Sequence, residues 1–324
     1  MKAAVRDEYG SSEVVHIDDV PVPEPKKNEV LIRVKAAGLD AGVWHLMTGT
    51  PLLVRYMGLG VKKPKQRTLG MDVAGIVEKI GADVTAFQPG DKVFGVGTGT
   101  FAEFAVAKSK TLVRKPAGVT FEQAAASPIS AITALQAVRP GKVGPSSRVL
   151  VLGAAGGVGH FAVQLAKSQG AHVTGVSSAA KLDFIRSLGV DDALDYATVD
   201  ATDGTRIFDL IVDTGGNRPI PDLRRALAPT GTLVIVGGEG AGGPVLRGLD
   251  RVMRAGVVSL FTKQKLIGLV SLTNPKDLAE LSEMLESVSI SPRIDRTFTL
   301  ANAAFALARY ESGVAQGKIV LTQS

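Results

Sequence analysis

No cysteine occurs among the 324 residues. That excludes disulfides, thiolate nucleophiles and thiolate zinc ligands together. It leaves the redox compartment open, although a cytoplasmic enzyme needs no disulfides. Histidine is scarce, at positions 16, 45, 160 and 172 only. No stretch approaches the roughly 20 consecutive apolar residues of a transmembrane helix, so no membrane span is predicted. The opening MKAAVRDEYG carries charge from the start and has no apolar run, so it does not read as a signal peptide. The expectation is a cytoplasmic protein. No low-complexity linker and no internal repeat is visible beyond an alternation of strand and helix. Blocks of basic charge are absent too. Lys and Arg number 37 against 31 Asp and Glu, a net charge of +6, but they are scattered. Lys62-Lys63-Pro64-Lys65-Gln66-Arg67 is a short exception. A solvated basic surface with an anion-binding cleft is expected, and no nucleic-acid partner.

What is present fits an α/β protein of one or two domains. Hydrophobic residues make up 45% of the chain and glycines number 37, enough for a large core and many tight turns. Residues 1–115 look strand-rich, within a first unit expected over 1–121. Val30 to Ala36 alternates and reads as a strand, as does Val73 to Gly81. Pro89-Gly90-Asp91 turns into a strand at Lys92 to Gly95, and Phe101 to Val106 alternates again. Short strands with glycine turns at this spacing suggest a small, irregular barrel. From Phe121 the texture changes. Helices are expected over 122–126 and 129–138, with Pro128 as a break between them. Strand and helix then alternate, predicting a doubly wound parallel sheet over 122–273. A mixed tail over 274–324 returns to the first unit, so the second is inserted into it.

The chain centres on RVLVLGAAGGVGH at residues 148–160. Val149 to Leu152 suits a strand buried on both faces. Gly153 to Gly159 has little side-chain bulk, and helical periodicity follows. Strand, glycine turn and helix in that order make a phosphate site, because the helix start offers unpaired N–H groups and partial positive charge. Ala155, Gly156, Gly157 and Val158 are the expected contacts. The match to G-x-G-x-x-G is imperfect, since the register ending in Gly159 puts Ala154 where the first glycine belongs. An ordinary tight turn would use the same residues.

These features, with Leu69-Gly70-Met71-Asp72-Val73-Ala74-Gly75-Ile76-Val77, Pro89-Gly90-Asp91-Lys92-Val93, Ala131-Ile132-Thr133-Ala134-Leu135-Gln136 and Gly317-Lys318-Ile319-Val320, resemble the medium-chain dehydrogenase/reductase superfamily. The likeness covers nearly the whole chain and is nearer to the zinc-free quinone oxidoreductase branch. It implies a Rossmann domain inserted into a GroES-like β-rich catalytic domain, with the active site in the cleft between them. Zinc members carry a cysteine ligand near position 40 and a Gly-His-Glu motif. Here that motif reads Gly70-Met71-Asp72, and Met71 cannot replace a histidine ligand. No metal is therefore expected. Many relatives have Asn where Asp40 stands and Asp where Val43 stands.

An NAD-specific Rossmann domain ends its second strand with an acid that binds the ribose 2′-OH. Here His172 to Val176 is followed by Ser177-Ser178-Ala179-Ala180-Lys181, with no carboxylate. Two hydroxyls and an ammonium suit a 2′-phosphate, which predicts NADPH. Lys181 would also serve as an exposed first-turn helix residue. The resemblance adds Tyr196 at that phosphate, Thr133 beside the nicotinamide ribose, and Lys318 facing the cofactor, with Asp72 as an acid that could pair with Lys318. Thr214, Gly215, Val236, Gly237 and Gly238 end two further strands where ribose and nicotinamide would approach.

For the chemistry, Tyr56 is the candidate general acid, and Asp40 and His45 are candidates for lining the nicotinamide end. A packing tyrosine and a structural histidine are the plainer alternatives. Leu46, Met47, Leu52, Leu53 and Met57 suggest either an apolar substrate pocket or core. The expected function is NADPH-dependent, zinc-independent reduction of an apolar quinone or α,β-unsaturated carbonyl. A zinc-free alcohol dehydrogenase or carbonyl reductase and a non-catalytic NADPH-binding protein stay open. A homodimer is expected, pairing edge strands, with Val257-Val258-Ser259-Leu260-Phe261 as the candidate strand.

Overall fold

The structure is a computed structural model and describes residues 1–53, 55–216, 218–237 and 249–323. The expected cofactor contact Gly238 lies outside the described residues. Strands β1 (Lys2–Val5) and β2 (His16–Asp19) form an antiparallel pair. Then come β3 (Glu29–Leu39), helix α1 (Ala41–Thr48), β4 (Asp72–Ile80), β5 (Lys92–Val96), β6 (Phe104–Lys108) and β7 (Leu112–Arg114). Helices α2 (Phe121–Ala125) and α3 (Pro128–Val138) follow. The chain then alternates through β8 (Arg148–Leu152), α4 (Gly159–Ser168), β9 (His172–Ser177), α5 (Leu182–Arg186), β10 (Asp192–Asp195), β11 (Phe208–Asp213), α6 (Ile220–Arg225), β12 (Leu227–Ile235), α7 (Leu249–Ser259) and β13 (Lys265–Gly268). It ends with α8 (Pro275–Glu286), β14 (Ile294–Thr299), α9 (Ala303–Glu311) and β15 (Lys318–Thr322).

Two compact units result. The first holds Met1–Ile132, Thr273–Val288 and Pro292–Ser324, and the second holds Thr133–Leu272 and Ser289–Ser291. The division falls inside α3, because α2 packs on β3, β4 and β5 and so belongs with the first sheet. Local signals explain these helices. Thr120 and Gln123 form a reciprocal capping box at α2, and Pro128 opens α3 at a position where no N–H is needed. Asp40 caps α1, and Gly49 closes it in the left-handed region at φ 63°.

The first unit's sheet runs β14-β15-β3-β4-β5-β7, with β6 on β3. It is antiparallel except where β14 meets β15. Ile32, Val34, Leu39, Val73, Phe101, Leu307 and Leu321 lie in its core. The alternation over 101–106 resolves differently from the expectation. The strand is β6, and Phe101 is buried in the turn before it, where its carbonyl accepts from the Ala4 N–H.

The second unit's sheet is parallel throughout and runs β10-β9-β8-β11-β12-β13. By rank in that unit the order is third, second, first, fourth, fifth, sixth. This is the doubly wound order predicted by the strand–helix alternation, with the switch point between β8 and β11. The strand expected at residues 257–261 is a correction. Residues up to Ser259 finish α7, and Leu260 and Phe261 are exposed beyond it. Arg251, Val252, Ala255, Val258 and Ser259 are its buried and half-buried positions, a helical spacing. The strand at that edge is instead β13. No helix among the described residues is long and apolar enough to cross a membrane.

Candidate functional site

In the second unit, the C-terminal ends of β8, β9, β11 and β12 bring the expected cofactor residues together. β8 runs into Gly153, whose φ of 76° makes the turn that the sequence motif would assign to the Ala154 position. A Cβ on Gly153 would meet Thr214 Oγ1 at 2.5 Å, and one on Gly159 would meet the Gly153 carbonyl at 2.1 Å. Both glycines are required by close backbone packing. A Cβ on Gly156 would meet only the Gly153 carbonyl, at 3.3 Å. Gly156, Gly157 and Val158 are half-buried, and Ala155 is buried. Among the described residues the N–H groups of Gly157 and Val158 have no protein acceptor, as expected at the start of α4.

Thr214 closes the far side. Its hydroxyl donates to the Leu152 carbonyl at 2.7 Å, tying β11's turn to β8 across the switch point. Asp213 shapes that turn. Its Oδ1 accepts from Gly215 and Gly216, at 3.1 and 3.0 Å, and its Oδ2 accepts from Arg251 of α7 at 2.5 Å. The Val236 N–H donates to the Asp213 carbonyl at 2.9 Å, and Gly237 follows it at the end of β12.

β9 ends at Ser177, whose hydroxyl donates to the Ser178 carbonyl at 3.2 Å. Ser178 and Lys181 are half-buried on the short turn that follows. The Tyr196 N–H donates to the Ser177 carbonyl at 3.1 Å, so all four residues expected at a 2′-phosphate converge on one edge. The Tyr196 side chain is 59% exposed. The acid in register with Ser177 is Asp195, and its carboxylate accepts from the Ala197 N–H in its own turn.

In the first unit, β15 places Lys318 inside the protein, 1% exposed. Its ammonium donates to Ser130 Oγ at 2.9 Å and lies 3.6 Å from Asp72 Oδ2. Asp72 Oδ1 accepts from the Ile129 N–H at the start of α3, at 3.0 Å. The 3.6 Å contact is an ion pair and not a hydrogen bond, so Asp72 Oδ2 faces a charge with no donor in reach. Asp40 repeats the pattern. Oδ1 caps α1 through the Val43 N–H at 3.2 Å, and Oδ2 is buried without a partner. Lys318 pairs with Asp72 and reaches Asp40 only through its charge. Burial drives Asp72 well above the usual carboxylate range and the Asp40 charge adds to this, against the pull of Lys318. Burial raises Asp40 too, opposed by Lys318 and by the N–H groups of Val43 and Gly42.

The other expected residues fall into place one by one. His45 Nδ1 lies 2.7 Å from the Thr50 carbonyl and so carries a proton there, and the ring meets Trp44 edge-on at 5.1 Å. Tyr56 is 73% exposed on a short wide turn, Arg55–Leu59. Met47 is core, Leu46 packs against the core, and Leu53 is exposed. The Met57 side chain lies outside the described residues. Thr133 is buried on α3. Sequence reasoning did not find Ser130 or Arg251. Each is joined to its partner only through long-range folding, 188 residues from Lys318 and 38 from Asp213.

Comparison with known proteins agrees with this geometry. Residues 188–321 match the family model described as zinc-binding dehydrogenase, and residues 26–117 match the alcohol dehydrogenase GroES-like domain. The chain is 32% identical to the chloroplastic quinone-oxidoreductase QR1 of Triphysaria versicolor, covering 99% of this chain and 98% of that protein. It is 33% identical to the mitochondrial NAD(P)H oxidoreductase RTN4IP1 of Bos taurus, covering 99% and 89%. The structure of the quinone oxidoreductase from Coxiella burnetii superposes with a TM-score of 0.85 at 29% identity, covering 100% and 99%.

The zinc in the first family description does not fit the donor set. The chain has no thiolate, Met71 stands at the expected histidine, and the Lys318 ammonium would repel a dication from Asp72. A nicotinamide dinucleotide does fit the second unit, on the open face of Gly156 and the unpaired N–H groups of α4. The chain belongs to the medium-chain dehydrogenase/reductase superfamily, as a quinone oxidoreductase-like, NAD(P)H-dependent oxidoreductase.

Proposed function

We propose that this chain is an NADPH-dependent, zinc-independent reductase of quinones or of carbon–carbon double bonds conjugated to a carbonyl. The observation that carries the cofactor choice is the end of β9. Ser177, Ser178 and Lys181 converge there with the Tyr196 backbone, and the one acid in register is held by its own turn. Such an edge suits a phosphate and lacks the acid that would bind a free 2′-OH. Gly156, Gly157 and Val158 hold the pyrophosphate, and Thr214, Gly215, Val236 and Gly237 shape the ribose and nicotinamide end.

When bound, the cofactor supplies a hydride to an acceptor carbon. The acceptor class follows from what the first unit offers. Its buried polar centre holds an ammonium and two acids whose hold on a proton burial strengthens. Quinones and enones need only polarisation and a proton, which such groups or solvent provide. A simple aldehyde demands more.

Oxidation of NADPH with 1,4-benzoquinone, an enone and a simple aldehyde tests this. Turnover is expected with the first two. Turnover with the aldehyde alone would sink the proposal, as would a preference for NADH.

A further inference from the structure

His160 is fully buried at the start of α4, yet the glycine turn alone accounts for the phosphate site. Its ring does more than fill space against Phe161, 4.0 Å away at a 40° tilt. Nδ1 lies 2.9 Å from the Gly156 carbonyl, and the backbone N–H of the same residue donates to that carbonyl at 3.1 Å. A carbonyl only accepts, so Nδ1 carries the proton. The Gly156 carbonyl is thus gripped twice by one residue.

The consequence lies in the next N–H. The peptide between Gly156 and Gly157 is trans and planar, so its C=O and N–H point in opposite directions. Holding the carbonyl toward the helix aims the Gly157 N–H away from it, out of the helix start. Neither glycine has a Cβ to resist a flip of this peptide, so the turn has little stiffness of its own. We propose that His160 is a positioning residue for the dinucleotide pyrophosphate, its Nδ1–H fixing the Gly156–Gly157 peptide so that the Gly157 N–H is pre-aimed at the phosphate. This rests on the reading of the second unit as a nicotinamide dinucleotide site. His160 is itself anchored, because its carbonyl accepts from Gln164 Nε2 at 3.0 Å and Gln164 bonds both ways with the Ser291 backbone.

The test is binding, measured without any acceptor by the fluorescence of NADPH and of NADH. His160→Phe keeps the ring volume and removes the donor. The dissociation constants for both cofactors should rise roughly tenfold, the worth of one hydrogen bond, with their ratio unchanged. His160→Asn returns a donor near the Nδ1 position and should stay within about threefold of the parent. In the parent protein, long-range proton–nitrogen spectra should show Nδ1 protonated. The proposal is overturned by parent-like binding of His160→Phe, by equal losses in both variants, or by a bare Nδ1. A loss confined to NADPH would overturn it too, because the pyrophosphate is common to both cofactors. If the parent binds neither cofactor, the dinucleotide reading fails and this inference falls with it.

Discussion

Lys181 and Asp40 pose opposite problems at the scale of one residue, the first a half-buried ammonium at the end of β9 and the second a carboxyl taken out of solvent. At Lys181 the prediction is selective. Lys181→Asp should weaken NADPH by about 10- to 100-fold, the range for a lost charge-assisted hydrogen bond, and NADH by much less. Titration of both cofactors checks this, and equal losses would remove the phosphate assignment. At Asp40 the prediction concerns pH. Burial raises this carboxyl above its ordinary 3.8, so the folded chain holds its proton more tightly than the unfolded chain. Its contribution to stability is therefore intact below that value and declines as pH rises through the folded value. Asp72 shifts the same way. Asp40→Asn keeps the α1 cap and removes one ionisable group. Denaturant midpoints should then fall less between about pH 4 and about pH 8, with a gain at the upper end of about 1–3 kcal/mol. A loss at the upper end would contradict the buried-charge account. The sequence made these residues visible unequally. Ser177, Ser178 and Lys181 are contiguous, so their chemistry reads directly from the chain. The missing donors at the two Oδ2 atoms do not, because burial is a property of the whole fold.

Elements were legible where one period dominated. The β8 turn and α4 show an apolar run, then glycines, then helical spacing, and all three levels agree. α7 was misread because its inward face includes Arg251, and Val257-Val258 has the β-branched look of a strand. A buried arginine conceals helical periodicity from any hydrophobic pattern. It is tolerable there only because Asp213 and the Arg218 carbonyl receive it. The segment carrying Tyr56 shows another kind of hidden support. The Arg55 guanidinium lies 4.1 Å from the Tyr9 ring centroid and donates to the Gly49 and Thr48 carbonyls. The Tyr9 hydroxyl sits 2.9 Å from the Leu59 carbonyl and 2.7 Å from that of Gly60, and donates to one at a time. Tyr9→Leu removes both anchors. Amide hydrogen exchange over residues 49–60 should accelerate by about tenfold or more, since a cation–π contact and a hydrogen bond are each worth about 1 kcal/mol. Unchanged exchange would show that the segment holds itself.

At the scale of the molecule, the second unit's sheet ends at β13, whose outer side pairs with no strand among the described residues. Met253, Val257, Leu260, Phe261, Val270 and Leu272 are exposed near it in sequence. An open edge beside apolar side chains favours pairing with a second copy. A homodimer is predicted, and Phe261→Glu with Leu272→Glu, which puts charge on exposed apolar positions near that edge, should shift the mass measured by light scattering to that of a monomer. A parent that is already monomeric would end the idea. The strand–helix alternation made the sheet order legible, but the edge was not, because a four-residue strand gives too short a pattern to read.

β15 has one further consequence, and it concerns synthesis. This strand lies between β14 and β3 and carries the only ammonium that faces Asp72 among the described residues. During translation the chain therefore makes two buried acids and the long strand β3 early, and their cation and neighbouring strand last. The second unit, contiguous apart from residues 289–291, is complete in sequence well before. A ribosome-bound chain arrested before Lys318 would hold a second unit complete in sequence and a first unit still open along β3. That is the interval in which a chaperone has something to cover.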